Sequence, residues 1–333
     1  MPDSDRPIFI ATRGSALALA QANAVLAQCR SAFPRLEFEL KILRTTGDKL
    51  QTASLAKEGV SLPKGLFTKE LEVALLNNEA DLAVHSLKDL PTELPSGLQL
   101  SAVGKRADVR DVLIYRDAKF LTPAAAGQKE SRGFQPNLAI QRLPQGATVA
   151  TSSTRRKAQV LEHRPDLNVV EIRGNVVTRM QKLAQQPELD ATILAAAGLE
   201  RLNVHITGEG KLIGDGVPEG LLATVMELEV MLPCVGQGAL GIETRTNDER
   251  IASICERLNH PDTQHCVTAE RAFLSSMGGG CQSPVAAYAE MVGSEVRLRA
   301  VSFRDEKNIR RGEAKRAANE AVELGKQMAA ELI

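Results

Sequence analysis

The chain has 333 residues, 43% of them hydrophobic and 25% charged, which is the composition of a globular protein with apolar residues for more than one core. Lysine plus arginine and aspartate plus glutamate both number 41, tryptophan is absent and aromatics make up 3%, so neither a basic surplus nor a stacking platform for nucleic acid is present. The N-terminal MPDSDRPIFIATRG lacks the basic-then-apolar order of a secretory signal and no eighteen apolar residues run together, so the expected compartment is the cytoplasm, with no membrane partner.

Short apolar runs alternate with helix-period segments, the pattern of βαβ units and a mostly parallel sheet. Ile8 to Ala11 reads as a strand. After Thr12-Arg13-Gly14-Ser15 a helix runs to about Cys29, with Ser15 as N-cap and Leu19, Ala22, Val25 and Leu26 as its apolar stripe. Leu40 to Leu43 is a second strand. Phe67, Leu71, Ala74 and Leu75 mark a helix, and Asp81 to Val84 a strand that ends at His85-Ser86-Leu87-Lys88-Asp89. Thr122 to Pro144, rich in Ala, Gly, Pro and Gln, predicts a surface excursion. The pattern then repeats: strand Thr148 to Ala150, a helix opening with Arg155-Arg156, strand Asn168 to Ile172, Arg173-Gly174-Asn175, a helix carrying Arg179, and strand Ala191 to Ala196 before Arg201. The weak echo between Ala11-Thr12-Arg13-Gly14-Ser15 and Ala150-Thr151-Ser152-Ser153 suggests two similar doubly wound domains. The last seventy residues differ. A helix from about Asp262 to Met277 leads into Gly278-Gly279-Gly280-Cys281, followed by alternating strands such as Val296 to Val301 and a final helix from about Ala317, predicting a small α+β domain with an antiparallel sheet.

Three constellations bear chemistry. Arg13, Arg155, Arg156, Arg173, Arg179 and Arg201 each follow a predicted strand or open the next helix, positions that share one edge of an open α/β sheet. Guanidinium groups grip carboxylates through paired hydrogen bonds and helix N-termini add backbone N–H groups, so the set fits a small polycarboxylate; taken singly, any of these arginines reads as a solvated surface residue. Asp89, beside Lys88, can stay ionised to stabilise a cation or relay a proton, or can simply cap a helix; His85 alone reads as a structural histidine. Cys281 after three glycines can serve as nucleophile or covalent anchor, or sit as an ordinary buried thiol. The five cysteines are odd in number and widely spaced, against a disulfide framework, and His260 with His265-Cys266 matches no zinc spacing. Gly236-Gln237-Gly238 lacks the third glycine of a dinucleotide fingerprint, and no P-loop or nucleophile elbow occurs.

Taken together, Ala11-Thr12-Arg13-Gly14-Ser15 with Gln21, Lys64-Gly65-Leu66-Phe67-Thr68-Lys69-Glu70-Leu71-Glu72, Ala83-Val84-His85-Ser86-Leu87-Lys88-Asp89, Thr151-Ser152-Ser153-Thr154-Arg155-Arg156, Arg173-Gly174-Asn175-Val176, Ala197-Gly198-Leu199, Val235-Gly236-Gln237-Gly238-Ala239 and Gly279-Gly280-Cys281-Gln282 resemble the porphobilinogen deaminase (hydroxymethylbilane synthase) family, in the family's order and over nearly the whole chain. The resemblance implies two periplasmic-binding-protein-like α/β domains and a small C-terminal α+β domain, here residues 1–105 with 237–258, residues 106–236, and residues 259–333. It implies a transferase of tetrapyrrole (haem) biosynthesis that joins four porphobilinogen molecules head to tail, releases ammonia from each and frees linear hydroxymethylbilane, with no metal. The chain would grow on a dipyrromethane cofactor held by a thioether to Cys281. Asp89 would be the catalytic carboxylate, assisted by Lys88 and Arg13. Ser15, Lys64, Ser86, Lys88, Asp89, Ser153, Arg155, Arg156, Arg173 and Gly174 would bind the cofactor, and Arg13, Arg173, Arg179 and Arg201 the substrate. A cytoplasmic monomer is implied. The sequence departs from the family in a longer loop at Ala56 to Pro63, in Ala150 where glycine is common, in the insertion Thr122 to Pro144, and in an early C-terminus. Two other readings use the same residues: a solute- or effector-binding module, and a transferase using Cys281 as a transient acyl carrier, for which no histidine partner stands out.

Overall fold

The computed structural model describes residues 6–45, 68–121, 130–280, 283–305 and 307–333. The chain runs through β1 (Ile8–Arg13), α1 (Ala16–Ala32), β2 (Phe38–Leu43), α2 (Lys69–Leu76), β3 (Leu82–Ser86) and β4 (Leu98–Val103). It crosses to β5 (Asp111–Arg116) and continues with β6 (Thr148–Ala150), α3 (Thr154–His163), β7 (Asn168–Val170), α4 (Val176–Gln185), β8 (Ala191–Ala195), α5 (Ala196–Arg201), the hairpin β9 (His205–Ile206) with β10 (Leu212–Ile213), and β11 (Leu221–Val225). It crosses back into β12 (Leu240–Arg245) and α6 (Glu249–Leu258), then ends with α7 (Pro261–Ser276), β13 (Val285–Val292), β14 (Glu295–Ser302), β15 (Arg310–Ala317) and α8 (Ala321–Leu332).

The first sheet has the order β2-β1-β3-β12-β4 and the second β11-β5-β8-β6-β7. Read from opposite ends the two are alike. Three parallel strands (β2, β1, β3 and β7, β6, β8) are followed by one antiparallel strand, β12 or β5, and then by β4 or β11. In each sheet the antiparallel strand is the one received from the other half of the chain, so the two lobes are joined by two crossings, residues 104–110 and 226–239. The expected echo is real at this level, since β1 and β6 occupy equivalent places. Both sheets are covered on both faces, which is why their strands read as apolar runs. In the first lobe Ile8, Ile10, Leu82 and Val84 pack under α1 and α6, while Ala11 and Ala83 pack under Leu71 and Leu75 of α2. Ser15 caps α1, its hydroxyl accepting from Ala18 N–H at 3.3 Å.

The third sheet is antiparallel, order β13-β14-β15, with α7 and α8 on one face. Phe273, Leu298, Leu324 and Met328 are fully buried between them. The edge strand β15 has the sequence RRGEAKRA, and such charges keep an exposed edge from pairing with another chain.

Three expectations are corrected. The stretch 130–144 is no simple surface excursion: Leu138, Ile140 and Leu143 are buried in the second lobe's core, and Leu138 N–H donates to the Tyr115 hydroxyl at 2.9 Å. Its glycines and prolines break regular structure without keeping the chain out of the core. The final helix begins at Ala321, because Ala317 is the last residue of β15, paired with Glu295. Strands β4, β5, β11 and β12 were not expected, and all four join their sheets through long-range antiparallel pairing that local periodicity does not carry.

Candidate active site

Parallel strands of an open sheet deliver their following loops to one edge, and the candidate residues stand there in both lobes. In the first lobe, Arg13 ends β1 and Ser15 opens α1, while β3 ends at Ser86 and runs into a single 3-10 turn, Leu87–Asp89. Leu87 is buried under that turn, which leaves Lys88 half-buried and Asp89 exposed. Ser86 is held from behind: the buried Gln21 amide on α1 donates to its hydroxyl at 2.7 Å and accepts from it at 3.1 Å. His85 is also buried, its ring Nε2 lying 2.9 Å from the fully buried Glu243 on β12, which agrees with its structural reading.

In the second lobe, Ser153 caps α3 and accepts from Arg156 N–H at 3.4 Å. Arg155 and Arg156 lie in the first turn of α3 as expected, yet they are buried rather than presented at the surface, 3% and 6% exposed. Both converge on Asp111. Arg156 donates to Asp111 Oδ1 at 2.7 Å and to the Ile193 carbonyl at 2.8 Å, and Arg155 Nη2 lies 2.9 Å from Asp111 Oδ2 and donates through Nη1 to the Leu232 carbonyl at 2.7 Å. Burial resists the Asp111 charge, but the two guanidinium groups hold its carboxyl well below the usual range. The Nε–H groups of both arginines are buried with no acceptor among the described residues.

Arg173, by contrast, is exposed and pairs with the exposed Glu171 at 3.0 Å. Gly174 follows it with φ +117°, and a Cβ there would lie 2.7 Å from Thr178 Cγ2, so this turn requires glycine. Arg179 donates from Nε to the Gly174 carbonyl at 2.9 Å. Burial pushes its guanidinium down to about 10, Arg156 and Arg173 push the same way, and Asp89 pushes back. Asp89 of the first lobe and Arg156 and Arg173 of the second therefore all act on Arg179. Arg201, at the end of α5, reaches the crossing and donates to the Gly238 carbonyl at 2.7 Å, and burial lowers its guanidinium as well. Helix α5 also packs against α1 of the first lobe.

Lys64 and Cys281 lie outside the described residues. Up to them, α7 ends at Ser276, Gly278 takes the left-handed φ of +63°, and beyond them Ser283 N–H donates to the Gly280 carbonyl at 2.9 Å. Of the other cysteines, Cys29, Cys255 and Cys266 are buried, and burial raises their thiols to about 11, 12 and 12. His260 caps α7 through Nδ1, which accepts from Thr263 N–H at 3.3 Å. Sequence reasoning missed Asp111 and Gln237 as partners of the arginines. The one signal for Asp111 was an acid opening the apolar run Val112-Leu113-Ile114, where a charge needs a buried partner.

Two α/β lobes joined by a double crossing thus carry arginines and one exposed aspartate in the segments that follow their strands. Residues 8–253 match the family described as porphobilinogen deaminase, dipyromethane cofactor binding domain, and residues 264–333 match the porphobilinogen deaminase C-terminal domain. The chain is 40% identical over 329 residues to a porphobilinogen deaminase of Syntrophomonas wolfei, covering 98% of this chain and 95% of that one, and 45% identical over 293 residues to one of Geobacter metallireducens, covering 88% and 80%. Among solved structures, the benzoate-bound effector-binding domain of BenM overlays with a TM-score of 0.41 at 14% identity, over 77% of this chain and 91% of that one. The chain belongs to the porphobilinogen deaminase family.

Proposed function

We propose that this cleft carries out the family's reaction, the head-to-tail condensation of porphobilinogen in tetrapyrrole biosynthesis, with Asp89 as the catalytic carboxylate and the arginines as carboxylate receptors. One observation carries the assignment of the arginines. Arg155 and Arg156, both buried, share the single carboxylate of Asp111, while Arg179 and Arg201, largely buried, donate to the carbonyls of Gly174 and Gly238. A buried surplus of guanidinium charge is costly unless an anion joins it. Porphobilinogen brings two carboxylates, an acetate and a propionate, and each added unit brings two more.

The same surplus fits a dipyrromethane, whose side chains are also carboxylates, and the orphaned Nε–H groups of Arg155 and Arg156 are donors such a group can fill. Ser15, Ser86, Ser153, Lys64, Lys88, Arg155, Arg156, Arg173 and Gly174 are the residues proposed to hold it, with Cys281 as its anchor. When bound, it supplies the pyrrole acceptor on which the product is built.

The chain's own groups then divide the work. Arg13, Arg173, Arg179 and Arg201 orient porphobilinogen through its carboxylates, which converts a bimolecular encounter into a fixed approach. Asp89 offsets positive charge on the pyrrole nitrogen as ammonia departs, and takes up the proton released when the new ring regains aromaticity. Lys88 stands next to it on the same turn. The 3-10 turn over buried Leu87 and the Gln21–Ser86 pair keep that carboxylate where the charge develops. A monomer suffices, because one chain supplies both sides of the cleft, and no described helix is long and apolar enough to cross a membrane. The test is direct: purified protein given porphobilinogen releases ammonia and forms hydroxymethylbilane. Binding without ammonia release would support the effector-binding alternative instead.

A further inference from the structure

We propose that Asp111 is a positioning residue for this reaction: it sets the substrate-facing geometry of Arg155 and Arg156 and ties both, through Gln237, to the two crossings between the lobes. The inference rests on the reading that these arginines receive ligand carboxylates. Asp111 is the first residue of β5, directly after the first crossing, and is fully buried. Its Oδ1 accepts from Arg156 at 2.7 Å and from the Gln237 side-chain amide at 2.9 Å. The same Gln237 nitrogen donates to the Val109 carbonyl at 2.7 Å. Gln237 itself belongs to the second crossing and is fully buried. One carboxylate therefore joins the arginine pair of the second lobe to one residue from each segment that links the lobes.

The contacts are unequal in a way that points to exchange. Asp111 Oδ2 lies 2.9 Å from Arg155 Nη2, yet no aligned hydrogen bond reaches that oxygen, and both arginine Nε–H groups lack acceptors among the described residues. Two guanidinium groups share one carboxylate, so one positive charge is left over inside the protein. A ligand carboxylate that takes that charge competes with Asp111 for Arg155 and Arg156. Any shift of Asp111 is passed to Gln237, and so to both crossings. Lobe disposition and carboxylate occupancy are coupled through this one side chain, in the sense that each biases the other.

The test uses the full-length enzyme with its cofactor and three variants. Asp111→Asn keeps the size and removes the charge; Gln237→Met keeps every charge and removes only the link to the crossings. Melting temperature, cofactor content by intact mass, and KM and kcat for porphobilinogen are measured for each. A misplaced pair of receptors should raise KM by about tenfold in both variants, with kcat per folded molecule changed far less. A role confined to stability would lower the melting temperature of Asp111→Asn and leave KM of the folded fraction unchanged, and that result overturns the proposal. If Asp111→Asn does not fold, Gln237→Met decides alone: raised KM supports the coupling, unchanged KM removes it. Arg155→Leu tests the underlying reading separately, since unaltered KM and cofactor content there would show that the arginine is no ligand receptor whatever Asp111 does.

Discussion

At the scale of single residues, the cleft separates two kinds of arginine that look alike in sequence. Arg173 is exposed and pairs with exposed Glu171, whereas Arg156 is buried against Asp111 and the Ile193 carbonyl. Arg173→Leu is therefore expected to weaken porphobilinogen or cofactor binding with little change in melting temperature. Arg156→Leu should do both, since removing one partner of a buried ion pair costs about 3 kcal/mol; sequence alone predicts a binding defect for each and misses the stability loss. Thermal melts read beside cofactor content separate the two. Asp89→Asn keeps the size of the side chain and removes the charge, so the fold should persist while turnover falls about a hundredfold or more; near-normal turnover would remove Asp89 from the mechanism. The buried thiols give a pH-dependent check. Only the thiolate alkylates, and with thiols at about 11 to 12 the ionised fraction of Cys29, Cys255 and Cys266 at pH 8 is about one in a thousand or less. Iodoacetamide at pH 8 should spare these three in the native protein, react faster as the pH is raised, and modify them once guanidinium unfolds the chain; rapid native labelling would contradict their burial.

At the scale of elements, what was legible was what is local. The helix at α1 with its Ser15 cap, the strand at Thr148–Ala150 and the positions of the arginines after strands follow from period and capping. The fourth strand of each lobe was not legible, because Asp111–Arg116 and Leu240–Arg245 are held by partners more than seventy residues away and carry no helix or turn signal of their own. Asp111 escaped for the same reason, as its role exists only once α3 and Gln237 are brought beside it. Turn geometry at the site is more tightly specified than its sequence suggests. Gly174→Ala must place a Cβ 2.7 Å from Thr178 at a φ that side chains resist, at a cost of about 1 to 3 kcal/mol. Its melting temperature should fall, and porphobilinogen binding should fall with it, because Arg179 is anchored on the Gly174 carbonyl. Normal binding in a destabilised variant would detach this turn from the site.

At the scale of the molecule, two lobes of like topology are joined by two crossings, and the third sheet with α7 brings Gly278 to Gly280, and so the start of the loop to Cys281, out of a separate core. A product that grows unit by unit has to remain attached through every addition, and a thioether survives where a thioester would hydrolyse. The central claim is that this chain carries its own dipyrromethane on Cys281. The most direct measurement is the intact mass of protein purified from a pyrrole-making host, followed by peptide mapping. The expected result is a mass above that of the sequence by one dipyrromethane, mapped to Cys281, lost together with activity in Cys281→Ser and retained in Cys29→Ser, Cys234→Ser, Cys255→Ser and Cys266→Ser. Fully active protein with an unmodified Cys281 would contradict it.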